Sequence, residues 1–331
     1  MKVLFIGGTG IISSACSELA LERGYDLYLL NRGKSLRPVP KGAKTILGDI
    51  RDEKAVKKLL SDLNFDVIVD WIAFVPQHID TDLRLFKEKT GQYIFISSAS
   101  VYQTPPTSLP VTESTPLCNP YWQYSRDKIA CEESLIHAYR DDNFPVTIVR
   151  PSHTYDRTLL PFSGHYTVLD RMRRGRKIIV HGDGSSLWVL THHRDFAKAF
   201  SGLLANPQAI GESFHITSDE ILTWNQIYEI VADAAGFKPD LIHIPSAYIN
   251  RFDTEWGSSL LGDKSHSMIF DNTKIKRLVP DFKAVIPFHR GAQEIVDWYT
   301  EDRSRQIIDP ETDRLYDRII AAFESGYTKE L

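Results

Sequence analysis

The sequence predicts an α/β fold in which a doubly wound parallel sheet is joined to a smaller, discontinuous C-terminal domain. Apolar runs of strand length alternate with stretches of helix length through the first half of the chain, which is typical of βαβ units. A glycine-rich turn follows the first apolar run, and the alternation loosens after about residue 156. We therefore expect one domain over residues 1–155, with returns to its sheet near 187–218. Residues 156–331 would form mainly a substrate-binding domain and a helical tail.

The glycine turn lies between the first predicted strand, residues 2–6, and a helix that begins at Ile11. Gly7 permits a sharp turn, and Gly10 lets the backbone approach a pyrophosphate closely. The free N–H groups at the start of the helix would then hold the phosphates. Ser13 stands in place of the third glycine of the pattern but is small. The pattern favours a Rossmann-type dinucleotide site over a turn that is merely tight.

The remaining elements follow in order. Strands are predicted at 26–30, 44–47, 66–70, 93–96 and 146–149, and helices at 52–60, with Asp52 as its cap, and at 121–139. Later elements are returns to the sheet near 187–191 and 213–217, helices at 224–235 and 288–299, and a strand at 241–244. Residues 301–331 carry an apolar helical stripe, made by Leu315, Ile319, Ile320 and Phe323. Because parallel strands end at one edge of a sheet, ligands are expected there.

Composition limits the function. The chain has 331 residues and a net charge of −4, which gives no general attraction to nucleic acid or to anionic membranes. Three scattered cysteines suit a reducing cytoplasm. No apolar run approaches the ~20 residues of a membrane span, and no signal peptide is expected. His192 and His193 are adjacent, so they cannot easily share one metal ion, and no metal site is expected.

Tyr124 and Lys128 are four residues apart on the long predicted helix, so their side chains share one face. An ammonium group stabilises a nearby phenolate and lowers the pKa of the tyrosine. The pair is therefore a candidate for proton transfer. A solvated helix face is the alternative for such a pair taken alone, but the preceding glycine turn and serine-rich strand end favour chemistry.

At this point the chain resembles the extended short-chain dehydrogenases/reductases, which include nucleotide-sugar epimerases, dehydratases and ketoreductases. The resemblance rests on six segments in the same order: 7–12 (GGTGII), 48–52 (GDIRD), 97–102 (SSASVY), 124–128 (YSRDK), 150–151 (RP) and 181–185 (HGDGS). It implies that Tyr124 is the general acid/base and that Lys128 lowers its pKa and binds the nicotinamide ribose. It also implies that Ser98 hydrogen-bonds the reacting oxygen; capping of a strand end is the alternative.

The resemblance also implies a set of contact residues. Those for the coenzyme are Gly7, Thr9, Gly10, Ile11, Ile12, Asn31, Arg32, Asp49, Ile50, Ser97, Tyr124, Lys128 and Pro151. Those for the substrate are Ser98, Tyr102, His153 and Trp188. Asp49 would contact the adenine with Ile50 packed beside it, a role compatible with capping a turn.

Asn31 and Arg32 bear on the choice of coenzyme. An acidic residue at the end of the second strand usually holds the ribose 2′-hydroxyl of NAD, but Asn31 occupies that region and Arg32 follows it. Arginine pairs well with a phosphate, which favours NADP over NAD. The alternative is that Arg32 is simply an exposed residue in a turn.

Three departures from the family pattern concern the substrate. Ala99 and Ser100 stand where the dehydratases have an acidic pair, so the groups for water elimination are missing. Trp188 stands near the position where many members hold a diphosphate with arginine, and His153 replaces a common asparagine. The substrate is therefore expected to be sugar-like but not a standard nucleotide-sugar.

Together these features predict an NAD(P)-dependent oxidoreductase or epimerase that transfers hydride to or from a carbonyl or secondary alcohol. Reductase and epimerase remain alternatives. A different class is also possible from sequence: chloroplast stem-loop RNA-binding proteins are similar in the glycine turn and in residues 30–33 (LNRG), although the Tyr124–Lys128 pair and the negative charge oppose RNA binding.

Two surface features complete the predictions. By the resemblance, the long helix would form a homodimer, with Ile129, Leu135 and Ile136 supplying apolar contacts. The basic run at 171–177 is interpreted as a solvated helix end rather than as a phosphate or RNA site.

Overall fold

The fold is taken from a computed structural model, which describes residues 1–327; the last four residues of the predicted C-terminal segment lie outside that range. The strands are β1 (Lys2–Ile6), β2 (Asp26–Asn31), β3 (Lys44–Leu47), β4 (Phe65–Asp70), β5 (Thr90–Ile96), β6 (Val146–Pro151), β7 (His153–Tyr155), β8 (Lys177–His181), β9 (Leu187–Trp188), β10 (Leu190–His192), β11 (Ser213–Ile216), β12 (Leu222–Thr223) and β13 (Asp240–Ile244).

The helices are α1 (Ile11–Glu22), α2 (Glu53–Leu59), α3 (Pro76–Phe86), α4 (Gln123–Asp142), α5 (Tyr166–Arg173), α6 (His193–Ser201), α7 (Trp224–Ala234), α8 (Ser246–Ile249), α9 (Thr254–Ser259), α10 (Thr273–Leu278), α11 (Phe288–Glu301) and α12 (Pro310–Tyr327). A π-helical turn, Leu260–Lys264, follows α9. None of the helices within residues 1–327 combines the length and apolar character that a membrane crossing requires.

The main sheet confirms the predicted fold class. Within the described residues it has seven parallel strands in the order β11-β6-β5-β4-β1-β2-β3. Strand β1 lies between β2 and β4, where Val3 pairs with Leu27 on one side and with Val67 on the other. The strand order reverses beside β1, and this is the point where doubly wound sheets bind their ligands.

Each strand of the sheet sends alternate side chains to opposite faces. In β1, Val3 and Phe5 pack with α1 and α6, while Leu4 and Ile6 pack with α2, α3 and α4. Every residue from Val3 to Ile6 is fully buried. The sheet therefore has helices on both faces, and only its edges and strand ends remain for a binding site.

The start of α1 shows why the glycine turn is required. Gly8 has φ of +96°, and a Cβ there would lie 2.6 Å from a methyl carbon of Leu29. The Ser13 hydroxyl accepts a hydrogen bond from the Gly10 amide at 2.8 Å, and the Ser17 hydroxyl donates to the Gly8 carbonyl at 2.8 Å. Small side chains thus allow α1 to pack tightly under the turn.

The second half of the chain adds a separate hydrophobic cluster and returns to the sheet. β8 and β13 pair in parallel beside helices α5, α7, α11 and α12. β11 pairs with β6, as the predicted return near 213–217 requires. The other predicted return, near 187–191, is wrong: β9 pairs with β12, and β10 pairs with β7. The strand run is interrupted at Val189, and its two short pieces each pair outside the main sheet.

The basic run is a solvated helix end only at Arg173, whose side chain is 56 % exposed. Arg171 is 1 % exposed, and its guanidinium pairs with Asp313 and Asp317 on α12. Arg176 also pairs with both aspartates. The sequence interpretation was wrong because it took no account of the acidic face of the C-terminal helix, which lies more than a hundred residues away.

Candidate active site

The residues predicted to bind the coenzyme line two adjoining cavities at the carboxyl edge of the sheet. One cavity is lined by the glycine turn, Gly7–Ile12, and by Ser97, Tyr124, Lys128 and Pro151. The other is lined by Asn31, Arg32, Asp49 and Ile50, and shares Gly7 and Thr9 with the first. The structure therefore brings together every residue of the predicted coenzyme set.

Polar atoms in these cavities fit a dinucleotide. Among the described residues, the buried Asn31 Nδ2 and Ser97 Oγ have no hydrogen-bond partner, and an unpaired buried polar group is costly. Asn31 Oδ1 accepts from the Gly33 amide at 2.9 Å, which orients the amide group. Both orphaned atoms could therefore be satisfied by a ligand with hydroxyl or phosphate oxygens.

Arg32 lies at the open end of the second cavity. Its Nη1 atom is 3.8 Å from Asp49 Oδ2, and both side chains are exposed. Lys34 and Arg51 line the same cavity. An exposed ion pair of this length contributes little, so Arg32 is available to an anionic group on a ligand.

Ser98, Tyr124 and Lys128 lie close together where β5 ends and α4 begins. Lys128 is buried, and its Nζ donates hydrogen bonds to the carbonyls of Ala73 and Ile96 at 2.6 and 2.7 Å. The hydroxyls of Ser98 and Ser100 are 2.9 Å apart, and Ser125 donates to the Ser100 hydroxyl at 2.8 Å. Ser125, Ser100 and Ser98 thus form a chain of hydrogen bonds that holds the Ser98 hydroxyl in place. The sequence reasoning missed this role of Ser100 and Ser125.

The pKa values in this cluster are governed by burial. Burial raises the pKa of Tyr124 to about 12, and its interaction with Ser98 lowers it in part. Burial lowers the pKa of Lys128 to about 8. The expected lowering of the Tyr124 pKa by Lys128 is not seen, because desolvation outweighs the charge of an ammonium 5.8 Å from the ring centre.

A third cavity, of about 460 Å³, opens beside Tyr124 and Ser98. Four residues, Ile12, Ser97, Tyr124 and Pro151, line both this cavity and the one at the glycine turn. The two cavities therefore adjoin each other at Tyr124. A substrate in one and a coenzyme in the other would meet beside Tyr124.

The walls of the third cavity are aromatic and carry little net charge. They include Phe162, Trp122, Trp256, Tyr228, His153, His165 and His181. Burial lowers the pKa of His153 to about 3 and that of His181 to about 4, so both rings are neutral near pH 7. Asp263 and Lys264, in the π-helical turn, are 3.2 Å apart and pair with each other.

Two of the predicted substrate residues do not reach this cavity. Tyr102 is fully buried, and its hydroxyl accepts from Arg150 at 3.2 Å. The helical turn Ala99–Val101 directs it into the core. Trp188 is also buried, and its indole N–H donates to His153 Nδ1 at 3.2 Å. Of the predicted substrate set, Ser98 and His153 line the cavity.

Three wall residues were missed from sequence: His165, Asp263 and Lys264. They come from turns and short helices of the second domain, which carry no local pattern that marks a binding residue. How exposed each of these side chains is, and where it lies, depends on packing between segments that are far apart in the sequence.

The fold and this site define a Rossmann-type protein of the short-chain dehydrogenase/reductase class. The family model described as "NAD dependent epimerase/dehydratase family" matches residues 3–217. The chain belongs to this family.

Curated relatives of this chain have several functions. The 2′-dehydrokanamycin reductase of Streptomyces kanamyceticus is 25% identical over 294 residues, which cover 86% of this chain and 80% of the relative. The chloroplast stem-loop binding protein of 41 kDa b from Arabidopsis thaliana is 29% identical over 73% of this chain and 65% of its own length. The mouse dTDP-D-glucose 4,6-dehydratase is 22% identical over 91% of this chain and 89% of its own.

Solved structures share the fold. The epimerase Mth375 of Methanothermobacter thermautotrophicus superimposes with a TM-score of 0.75 at 17% identity, over 92% of this chain and 94% of its own. The UDP-glucose 4-epimerase of Bifidobacterium longum, solved with NAD⁺ and UDP, gives a TM-score of 0.73 at 19% identity, over 92% and 100%. At these identities the likeness is one of fold.

Proposed function

We propose that this chain is an NADP(H)-dependent oxidoreductase that acts on a carbonyl or secondary alcohol of a sugar-like molecule without a nucleoside diphosphate. The observation that carries the proposal is the position of Tyr124, whose side chain lines both the coenzyme cavity and the aromatic cavity. Ser98 and Lys128 lie beside it. The cytoplasm is the proposed location, because Cys16, Cys118 and Cys131 are free thiols.

The proposed roles follow from the contacts. A bound nicotinamide coenzyme supplies or accepts the hydride. Tyr124 moves the proton at the substrate oxygen, and its raised pKa keeps the phenol protonated and ready to donate. Ser98 orients that oxygen through its hydroxyl, which Ser100 holds in place. Lys128, fixed by two carbonyls, binds at the ribose end of the nicotinamide.

Preference for NADP is supported by charge. Arg32, Lys34 and Arg51 line the cavity at the end of β2, and Asn31 carries no negative charge to repel a 2′-phosphate. Asp49 is the acidic residue of the cavity and stands 3.8 Å from Arg32. A phosphate would compete with Asp49 for the guanidinium and form a stronger, charge-assisted contact.

The aromatic cavity supports a substrate that lacks a diphosphate. Among its described lining residues, the charged side chains are Asp263 and Lys264, which neutralise each other. A diphosphate would be left without a free cation. The rings of Trp122 and Trp256 suit the apolar faces of a sugar ring. A relative that is a 2′-dehydrokanamycin reductase supports the same substrate class.

RNA binding on the same fold is the alternative, because the plant stem-loop binding protein is a relative. The net charge of −4 opposes it, since RNA binding needs a positive surface. The pairing of Arg171 and Arg176 with α12 removes the basic run as an RNA site.

The test is a comparison of turnover and binding with defined probes. NADPH or NADH oxidation is followed with 2′-dehydrokanamycin, and conversion of UDP-glucose and of dTDP-glucose is measured separately. Reduction of the ketone with a preference for NADPH supports the proposal. Turnover of a nucleotide-sugar alone contradicts the substrate class, and tight binding of an RNA hairpin with no turnover supports the alternative.

A further inference from the structure

The C-terminal helix α12 lies behind one wall of the aromatic cavity. Its Tyr316 is 1 % exposed. The Tyr316 ring stacks on Trp256, with centres 5.4 Å apart and planes 19° from parallel. Its hydroxyl donates to the Ser163 carbonyl at 3.1 Å. Because Trp256 and Ser163 both line the cavity, one side chain of α12 touches two separate parts of its wall.

The wall segment that Tyr316 holds has an unusual backbone. Gly164 has φ of +102°, and His165, which lines the cavity, has φ of +46° and ψ of −135°. A non-glycine residue with positive φ is strained and persists where surrounding contacts fix it. Such strain is concentrated at binding sites. The turn 163–165 is therefore a segment whose shape depends on its neighbours.

Helix α12 packs against the outer side of this turn. A Cβ on Gly164 would lie 3.2 Å from the Thr312 methyl group of α12 and 2.9 Å from a methyl of Val168. The Asp309 amide, just before α12, donates to the Thr167 hydroxyl at 2.9 Å. The turn is thus confined on its outer side by the first half of α12.

The position of α12 is itself fixed. Arg171, on α5, is buried and pairs with Asp313 and Asp317, and its guanidinium carbon lies 5.1 Å from the centre of the Tyr316 ring. Ile319 and Ile320 belong to the hydrophobic cluster of the second domain. Because α12 is itself held in place, its contacts can fix the position of the turn that precedes α5.

From these contacts we infer that Tyr316 is a positioning residue for the substrate cavity: it holds the strained turn 163–165 so that His165 contacts the substrate. The substrate contact rests on the proposed function. The restraint on the turn does not, so the two parts can be tested separately.

The first experiment measures the restraint in the full chain with NADP⁺ present. The amides of Thr167 and Val168 donate to the carbonyls of Gly164 and His165 at 3.0 and 3.1 Å, so their hydrogen exchange reports on the turn. Tyr316→Phe keeps the ring and removes one hydrogen bond. Exchange at both amides should become about fivefold faster.

A matched control separates this effect from general destabilisation. Ile244→Val removes one methyl group from the same hydrophobic cluster, on β13, and should leave exchange at the two amides unchanged. Gly164→Ala displaces the turn directly and should accelerate exchange more than Tyr316→Phe. Equal exchange in wild type and Tyr316→Phe would overturn the inference.

The second experiment measures KM and kcat for 2′-dehydrokanamycin with NADPH. Tyr316→Phe should raise the substrate KM about fivefold, with kcat within twofold and the KM for NADPH unchanged. His165→Ala should raise the substrate KM as well, and the double variant should be no worse than His165→Ala alone. Fully additive effects contradict action through His165. If the probe is not turned over, the proposed function fails while the exchange result still decides the restraint.

Discussion

Arg37 and Asp156 form an ion pair that joins the segment after β2 to the residue directly after β7. Arg37 also donates to the Thr158 hydroxyl. The Asp156 side chain is 3 % exposed, whereas that of Arg37 is 28 % exposed. The pair therefore connects the segment after β2, whose Ser35 lines both coenzyme cavities, to the segment that follows β7.

This pair predicts a pH-dependent stability. Although burial raises the pKa of Asp156, its hydrogen bonds to Arg37 and Thr158 outweigh burial and lower it overall. The stabilisation is therefore present above the unfolded-state pKa of ~3.9 and is lost as the pH falls through the folded-state value. Arg37→Ala should cost about 1–3 kcal/mol of unfolding free energy at pH 7 and progressively less below pH 4.

Urea unfolding at a series of pH values measures this difference. Arg84→Ala is the control, because Arg84 pairs with Glu53 at the exposed surface and should cost under about 1 kcal/mol. If Arg37→Ala lowers the unfolding free energy at pH 7 only as much as Arg84→Ala does, the Arg37–Asp156 pair does not stabilise the contact between the two segments.

Tyr124→Phe should reduce turnover by about 10²–10⁴-fold, because the proton at the substrate oxygen loses its donor. The affinity for NADPH should stay within a few-fold, since in the proposed site backbone N–H groups at the glycine turn would hold the pyrophosphate. Tyr121→Phe, at an exposed neighbour, should leave both quantities unchanged. Steady-state kinetics measure the turnover, and fluorescence titration measures the affinity for NADPH. Near-normal turnover of Tyr124→Phe rules out the assigned role.

Arg32→Ala should weaken NADPH binding about ten- to a hundredfold and leave NADH binding nearly unchanged, because a charge-assisted contact contributes ~1.5–3 kcal/mol. Asn31→Asp should shift the preference from NADPH toward NADH by repelling the 2′-phosphate. Arg23→Ala, at the end of α1, is the control. The measured quantity is the ratio of the two dissociation constants; a wild type that prefers NADH is incompatible with the proposal.

A homodimer through α4 remains a prediction, with one change to its contacts. Leu135 is fully buried among side chains of its own subunit, so it cannot supply the interface. Ile129 is half-buried on α4, and Ile129→Glu should convert a dimer to a monomer in sedimentation at micromolar concentration. Ile221→Glu, at an exposed residue of the second domain, should not. A monomeric wild type contradicts the prediction.

The sequence could indicate which residues gather on the proposed coenzyme side because most of these groupings are local in the chain. Gly7 and Gly10 stand in one short turn. Asn31 ends β2 and Asp49 follows β3, and the parallel pairing of these strands brings their ends together. Tyr124 and Lys128 likewise lie near each other, as their spacing predicts, because both belong to α4. Each of these placements depends on a short range of residues.

The substrate side could not be predicted in the same way. Tyr102 is two residues beyond Ser100, yet one helical turn sends it into the core. Trp256 and Ser163, which line the cavity, are both contacted by Tyr316 of α12. These two contacts join residues that are 60 and 153 positions apart in the sequence, and a local pattern carries no information about them.

Because β11 is an edge strand that is made after the rest of the main sheet, the sheet can be completed only late in synthesis of the chain. β11 pairs with β6 through residues 213–216, and the Ile148 amide donates to the Glu212 carbonyl at 3.0 Å. Until that region has been made, one side of β6 presents unpaired N–H and C=O groups, which are a template for aggregation. A fragment that stops at residue 155 should therefore associate through this open edge, and productive folding of the first domain must wait for part of the second.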